Sequence, residues 1–409
     1  MTEPVGPADV ERVFRTEYGR AVAVLVRLLG DIDAAEEAVQ DAFLTAVQRW
    51  PADGVPPSPA GWIVTTARNR AIDRLHREST RTDRYRAAAL LADPGPPPEE
   101  GAVRDDRLRM LFTCCHPALA PATRVALTLR LVGGLSTAEI AHAFLVPEAT
   151  MAQRLVRAKT KIRDARIPYR VPAEADLPDR LAGVLAVVYL VYAEGHTASA
   201  GDRLVRTDLC AEAVRLAREL AGLMPDEPEV LGLLALVLLS ESRRAARVAP
   251  DGSLVPLPEQ DRSRWDADLI AEGQELVRRC LRRGAPGPYQ VQAAIQAVHS
   301  DAPTAADTDW HQVLALYDHL LALTPSPVVA LNRAVAVAEV DGPAVALALV
   351  DALDLPRSHL LPAVRADLLR RLGRDAEAAE AYDAALVLAG NARERTFLER
   401  RRAELAGAG

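Results

Sequence analysis

The stretch Ser136-Thr137-Ala138-Glu139-Ile140-Ala141-His142-Ala143-Phe144-Leu145-Val146-Pro147 decides the reading of everything around it. A serine followed three residues on by glutamate is a capping box, in which the hydroxyl and the carboxylate satisfy each other's free backbone donors at a helix start. A short helix runs through Phe144 and Leu145-Val146 makes a turn. Pro147 then opens a second helix at the position where a missing N–H costs least. That helix runs to about Ala165. Met151, Leu155, Ala158 and Ile162 recur at helical spacing on one face, leaving Glu148, Ala149, Ala152, Gln153 and Arg157 outward. The pattern is a helix-turn-helix with a presentable second helix. From Pro147 to Arg170 it carries Arg154, Arg157, Lys159, Lys161, Arg163, Arg166 and Arg170 against only Glu148 and Asp164, a balance suited to phosphate. An ordinary helical hairpin with a solvated charged face is the alternative.

Outward from this motif, apolar residues keep recurring at i, i+3 and i+4, broken by Pro and Gly, so the chain reads as all-α. Asp93-Pro94-Gly95-Pro96-Pro97-Pro98-Glu99-Glu100 forbids helix and favours extended, solvated backbone. It sits in a linker, residues 87–105, between a first helical block (8–86) and a second (106–167). Pro168 to Pro178 breaks the chain again and opens a third region, residues 177–405. Ala249 to Gln260, rich in Pro and Gly, reads as a loop inside it. A shift of 32 residues superposes Arg333-Ala334 on Arg365-Ala366, Ala344 on Ala376, Ala346 on Ala378 and Asp351-Ala352 on Asp383-Ala384. With Leu372-Gly373, Tyr382 and Ala385-Leu386, this is similar to the tetratricopeptide pattern of stacked helical hairpins, while residues 177–310 fit it only loosely.

With 409 residues, 49% apolar and 26% charged, the chain has ample material for real cores, which excludes disorder and collagen. The longest uncharged apolar run, between Arg180 and Glu194, falls short of the roughly 20 residues of a membrane helix, and Met1 to Phe14 lacks a signal-peptide core. A soluble, cytoplasmic protein without membrane contact is expected. Charge is uneven: residues 1–170 hold 24 basic and 21 acidic side chains (+3), the remainder 25 and 35 (−10). Four cysteines are no disulfide framework; Cys114-Cys115-His116 has a ligand-like look, but no second pair stands at zinc-site spacing, so buried packing is the reading and no metal or cofactor is expected. Cys210 and Cys280 read as helix core positions.

The first block carries two faces of opposite sign. Asp31, Asp33, Glu36, Glu37 and Asp41 form an acidic run leading into Phe43, Val47 and Trp50, which is either a helix start favoured by the dipole or a partner surface. Trp62 to Arg86 holds seven arginines; Arg70, Arg74, Arg77 and Arg81 repeat at helical spacing beside Trp62, which is either a solvated face or a stripe for phosphate contact with base stacking.

These residues carry a resemblance. Ala38-Val39-Gln40-Asp41-Ala42-Phe43, Gly61-Trp62-Ile63 and Ala67-Arg68-Asn69-Arg70-Ala71-Ile72-Asp73 resemble region 2 of bacterial extracytoplasmic-function (ECF) sigma factors. Val146-Pro147-Glu148-Ala149-Thr150-Met151 and Arg154-Leu155-Val156-Arg157-Ala158 resemble their region 4, and the third region resembles the tetratricopeptide-like extension of one long ECF subgroup. The resemblance implies an RNA polymerase sigma factor whose partners are core polymerase, through the β′ clamp helices and the β flap, and promoter DNA. Glu36, Glu37, Gln40, Asp41 and Phe43 would bind polymerase. Trp62, Arg68, Asn69, Arg70, Arg74 and Arg77 would hold the −10 element, with the loop Pro51 to Gly61 reading an extruded base. Thr150, Gln153, Arg154, Arg157, Lys159 and Lys161 would contact the −35 element, and Asp93 to Glu100 would belong to the connector. The C-terminal region would act as a regulatory module, with a regulatory protein as its partner.

The rival readings are a non-sigma helix-turn-helix regulator and a helical-repeat protein-binding scaffold. An enzyme is not expected. Glu194-Gly195-His196 and Asp309-Trp310-His311 contain acid–base groups, but no supporting motif makes either a nucleophile, metal or phosphate site.

Overall fold

The computed structural model describes residues 7–77, 100–144, 146–172, 177–199, 201–250, 252–356 and 358–406. Among them regular structure is helical, with only isolated bridges Gly201–Asn391 and Val248–Leu254. The chain divides into two compact units, Met1–Val188 and Tyr189–Gly409.

In the front unit, α1 (Pro7–Leu29), α2 (Ile32–Asp53) and α3 (Pro59–Arg77) form the first block. Asp31 caps α2 by accepting from the Ala34 N–H at 3.0 Å. Ala35, Ala38, Val39, Ala42, Phe43, Ala46 and Trp50 supply its buried face. The expected loop from Pro51 to Gly61 is shorter than the proline content implied: α2 continues through Pro51 to Asp53, Gly54 ends it at φ 82°, and Pro59 opens α3. A proline in a last turn removes one backbone donor, and the neighbouring Trp50 is buried in the core.

The second block comprises α4 (Glu100–Cys114), α5 (Pro121–Leu131), α6 (Thr137–Ala143) and α7 (Glu148–Asp164). Helix thus begins at Glu100, inside the expected linker 87–105; residues 87–99, and with them most of the Asp93 to Glu100 stretch, lie outside the described residues. The capping box forms as read, with Ser136 N–H donating to Glu139 Oε2 at 2.7 Å and Glu139 N–H to Ser136 Oγ at 3.1 Å. Met151, Leu155, Ala158 and Ile162 are the buried face of α7, and Pro147 sits one residue earlier than expected, at the N-cap. The two blocks pack on each other. Gly19 of α1 meets the loop after α5 so closely that a Cβ would lie 2.3 Å from the Val132 carbonyl oxygen. Asp106 of α4 is fully buried and accepts from Arg27 Nε of α1 at 2.8 Å and from Arg109 Nη1 at 2.9 Å. Burial raises the Asp106 pKa, against the pull of both guanidiniums. Tyr169 closes the seam by donating to the carbonyls of Ala23 at 2.7 Å and Asp106 at 2.9 Å.

The boundary between the units falls inside α8 (Leu177–His196), later than the break at Pro168 to Pro178. The first turns of α8 belong with the front unit because Arg180 donates to the Phe112 carbonyl at 2.6 Å.

The C-terminal unit is built on α10 (Pro228–Glu241), buried continuously from Val230 to Glu241 and packed between α11 (Ala267–Arg283) and α12 (Pro288–Asp301), with α9 (Thr207–Leu223) alongside. Ala249 to Gln260 forms the expected loop. Three hairpins follow: α13 (Trp310–Leu323) with α14 (Pro327–Val340), α15 (Pro343–Asp351) with α16 (Leu360–Arg371), and α17 (Asp375–Leu388) with α18 (Ala392–Ala406). The 32-residue similarity is physical, since Ala334, Ala366, Ala346 and Ala378 are all fully buried. Arg333 pairs with Asp318 at 2.5 Å and Arg365 with Asp351 at 2.7 Å, so equivalent arginines tie successive helices. The last hairpin returns to the start of the unit: buried Asn391 donates from Nδ2 to the carbonyls of Ala198 at 3.0 Å and Arg203 at 2.8 Å.

Candidate polymerase and nucleic-acid interfaces

Counting α2 by its buried face puts Glu37, Gln40, Leu44 and Val47 on the opposite side, all exposed, with Asp41 half-buried at its edge. Leu44 is 60% and Val47 55% exposed, an apolar pair beside an acidic rim. Two of the residues assigned to polymerase lie elsewhere. Phe43 is buried, its ring 4.9 Å from Phe14 and 6.4 Å from Tyr18, because it falls on the core face of the same helix. Glu36 is 5% exposed. Its Oε1 accepts from Tyr18 Oη and from Arg130 Nε, both at 2.8 Å, and its Oε2 from Lys159 Nζ at 3.0 Å.

On α3, Asn69 and Arg70 are exposed and Arg68 and Arg74 half-buried. Arg70 reaches Thr45 Oγ1 at 3.3 Å and Arg74 pairs with Glu37. Half-buried Trp62 stacks edge-on against Trp50, ring centroids 5.4 Å apart, at the border of the core. The side chain of Arg77, with Arg81, Arg84 and Arg86, lies outside the described residues.

On α7, Gln153, Arg154, Arg157 and Lys161 are exposed and Thr150 half-buried. Lys159 differs: it is held in the seam by Asp33 Oδ1 at 2.5 Å and Glu36 Oε2 at 3.0 Å. Burial by itself would lower its pKa, and the Glu36 and Asp33 carboxylates reverse this and raise it. A residue assigned to DNA and one assigned to polymerase are thus paired with each other. A cleft of about 240 Å³ opens beside the pair, lined by Gly30, Asp31, Lys159, Arg163, Arg166 and Tyr169 among others.

Sequence reading missed Arg130 and Tyr18, whose part in this network no spacing announces. Leu44 was legible, because it shares the i, i+3, i+7, i+10 stripe of Glu37, Gln40 and Val47. Cys114 and Cys115 are free and buried, Cys115 Sγ lies 3.6 Å from Thr128 Oγ1, and His116 Nδ1 accepts from the Ala118 N–H at 3.2 Å. Burial pushes the Cys115 thiol up to about 11. Asp309 caps α13, and the Glu194 carboxylate accepts from the Ser199 N–H just past the end of α8, so both serve helix ends. No helix among the described residues is long and apolar enough to cross a membrane.

Comparison with known proteins gives these surfaces a family. The Sigma-70 region 2 family matches residues 13–81 and the Sigma-70, region 4 family residues 109–162. SigK of Mycobacterium ulcerans, an ECF RNA polymerase sigma factor, is 30% identical over 151 residues, which span 36% of this chain and 75% of that one. The chain belongs to the ECF sigma factors.

The first block is therefore sigma region 2 and the second sigma region 4. The probable ECF sigma factor SigI of Mycobacterium tuberculosis is similar over 40% of this sigma factor at 29% identity, and the chain spans 58% of that relative's length. The relationship extends through the C-terminal unit in a protein of Rhizobium meliloti named Uncharacterized protein R00370, 44% identical over 388 residues, 93% of this chain and 92% of that one. Residues 180–281 match a Family of unknown function (DUF6596). Yeast Tom70 superposes at a TM-score of 0.38 and 11% identity, covering 98% of this chain and 86% of that one, too loosely to assign anything.

Proposed function

We propose that this ECF sigma factor binds core polymerase through the exposed stripe of α2, holds the −10 element with α3 and reads the −35 element with α7. The observation that carries the reading is the pairing of exposed Leu44 and Val47 with Glu37, Gln40 and Asp41 on a helix whose other face is fully packed. Apolar residues rimmed by carboxylates suit a protein partner with apolar and basic groups, which fits the β′ clamp helices. The β flap is the proposed partner of region 4. Asn69 and Arg70, with Arg68, Arg74, Trp62 and Arg77 along the same helix, are the −10 group, and the stretch Asp93 to Glu100 is assigned to the connector. Gln153, Arg154 and Arg157 are the groups free to enter a major groove, with Thr150 and Lys161 at the margin. Lys159 reaches a phosphate only after leaving Glu36 and Asp33, so its use at a promoter requires regions 2 and 4 to part at that seam. The C-terminal unit, whose residues 189–409 hold 24 basic and 32 acidic side chains (−8), is the regulatory module and the surface for a regulatory protein.

Leu44→Glu combined with Val47→Glu tests the reading on the full chain. Core affinity should fall by about tenfold or more while helicity is kept. A folded double variant that binds core like the parent contradicts the assignment of this face. Alanine at Gln153, Arg154 or Arg157 should cost roughly 1 to 3 kcal/mol on a matched −35 element and little on a scrambled one. Equal loss on both demotes that side chain to phosphate contact.

A further inference from the structure

Six aromatic residues of a chain with only 4% aromatics, Tyr189, Tyr192, Trp265, Tyr289, Trp310 and Tyr317, fall between positions 189 and 317 of the C-terminal unit. Among them lie three shielded arginines. Arg247 donates to the His196 carbonyl at 2.6 Å and to Thr197 Oγ1 at 3.0 Å. Arg262 donates to the carbonyls of His299 at 2.6 Å and Ala302 at 2.5 Å, and to Thr308 Oγ1 at 3.2 Å. Arg243 donates to Gln296 Oε1 at 2.6 Å. Among the described residues no carboxylate stands at ion-pairing distance from any of the three. Glu241, the acid closest in sequence, pairs with Arg244 through Oε1 at 3.1 Å, and its charge and that of Glu394 act on Arg247 from beyond contact. Carbonyls at helix ends offset a fraction of a unit charge, and amides and hydroxyls carry none, so half-buried Arg243 and Arg262 keep a positive excess that the more distant Asp307 offsets only in part.

Its donors are also in surplus. Two guanidiniums stand over the Trp265 ring, Arg262 Cζ at 4.8 Å and Arg243 Cζ at 5.8 Å from its centroid. Arg243 Nε, Arg262 Nε, Trp265 Nε1 and His299 Nδ1 are all cut off from solvent without a hydrogen-bond partner. Trp265 is 8% and His299 6% exposed. Burial, and then Arg243 and Arg262, lower the His299 pKa to about 4, which keeps the imidazole neutral, with Nδ1 a donor in one of its two tautomers. Buried donors left unsatisfied are rare in folded proteins, and four of them beside an unneutralised charge call for a group that only accepts and carries negative charge.

We propose that Arg243, Arg262, Trp265 and His299 form a binding site for a phosphate group, as inorganic phosphate or as a small phosphomonoester. Two guanidiniums favour a group that approaches two negative charges at neutral pH over a monocarboxylate, and planar N–H forks suit its oxygens. The site stands apart from the promoter and polymerase surfaces, and its occupancy is read without transcription.

The experiment titrates the full chain with inorganic phosphate, glycerol phosphate, succinate and chloride at matched ionic strength, following tryptophan fluorescence and the thermal midpoint. A saturable response to one or both phosphate compounds at millimolar concentrations or below is expected, with chloride inert. The stronger of the two phosphate responses identifies the source. Arg243→Gln should weaken binding by about tenfold or more. Trp265→Phe, which keeps the ring and removes the indole N–H, should weaken it several-fold at unchanged helicity and also remove the fluorescence response. If Arg243→Gln fails to fold, Trp265→Phe decides alone. Absence of a saturable phosphate response, an equal response in Trp265→Phe, or succinate binding as tightly as phosphate overturns the proposal.

Discussion

Glu36 in the front unit and Arg243 in the C-terminal unit are both withdrawn from solvent, yet their surroundings obey opposite rules. Around Glu36, Tyr18, Arg130 and Lys159 direct donors at both carboxylate oxygens, and Asp33 takes up the remaining charge of Lys159. Around Arg243 and Arg262 there are a glutamine, carbonyls, a hydroxyl and an indole face, and among the described residues no acid at ion-pairing distance, Asp307 acting on Arg262 only from further off. A seam that neutralises itself holds two segments of one chain together and must be broken before either can serve another partner. A cluster that does not neutralise itself is suited to a partner of the opposite sign.

The largest expected effect breaks the neutralised side. Glu36→Ala leaves Arg130 and Lys159 without their buried counter-charge and should cost about 3 to 5 kcal/mol, against at most about 1 kcal/mol for Glu37→Ala, whose ion pair with Arg74 is exposed. Urea unfolding, with amide exchange over residues 7–77 to localise the change, measures both, and equal costs would erase the distinction.

The next effect lies on the other side. His299 carries a folded pKa of about 4 against an ordinary value of 6.5. The unfolded chain therefore binds the proton first, so stability is whole above pH 6.5 and falls as the pH drops toward 4, by roughly 3 kcal/mol. His299→Gln should remove most of that slope in acid-dependent unfolding; an unchanged slope would assign the loss to other groups.

Smaller still, Gly19→Ala sets a methyl group against the Val132 carbonyl and should cost about 1 to 3 kcal/mol while prising the two blocks apart. Faster exchange of the α1 and α5 amides would report it. Least of all, Arg365→Ala, which removes an exposed pair with Asp351, should shift stability by about 1 kcal/mol or less, the baseline for charge that water already screens.

Local rules were legible in the sequence and tertiary ones were not. The capping box at Ser136 and Glu139, the apolar stripe of α7 and the loop Ala249 to Gln260 depend on residues close in the chain, and each appears in the structure as read. The helix of Glu36 was equally legible, but its list of partner-binding residues mixed two faces: Phe43 belongs to the core stripe, and Leu44 to the exposed one. Lys159 counts as basic in any tally of the recognition helix. Only the fold, which brings α7 against the start of α2, turns it into the partner of Asp33 and Glu36, residues more than a hundred positions away. Arg243 and Arg262 gave no signal, since an arginine among helices is ordinarily a solvated side chain and its burial depends on Trp265 and His299 arriving from separate elements.

The most direct test of the central claim, that this chain is a sigma factor whose α2 stripe engages polymerase, is transcription in vitro by purified core enzyme on a library of promoter fragments, with and without the full chain. Discrete promoter-dependent transcripts should appear only when the chain is present, and should vanish for the folded Leu44→Glu, Val47→Glu double variant. Transcripts that do not depend on the chain, or strong duplex binding by the chain alone with no effect on core, would contradict it.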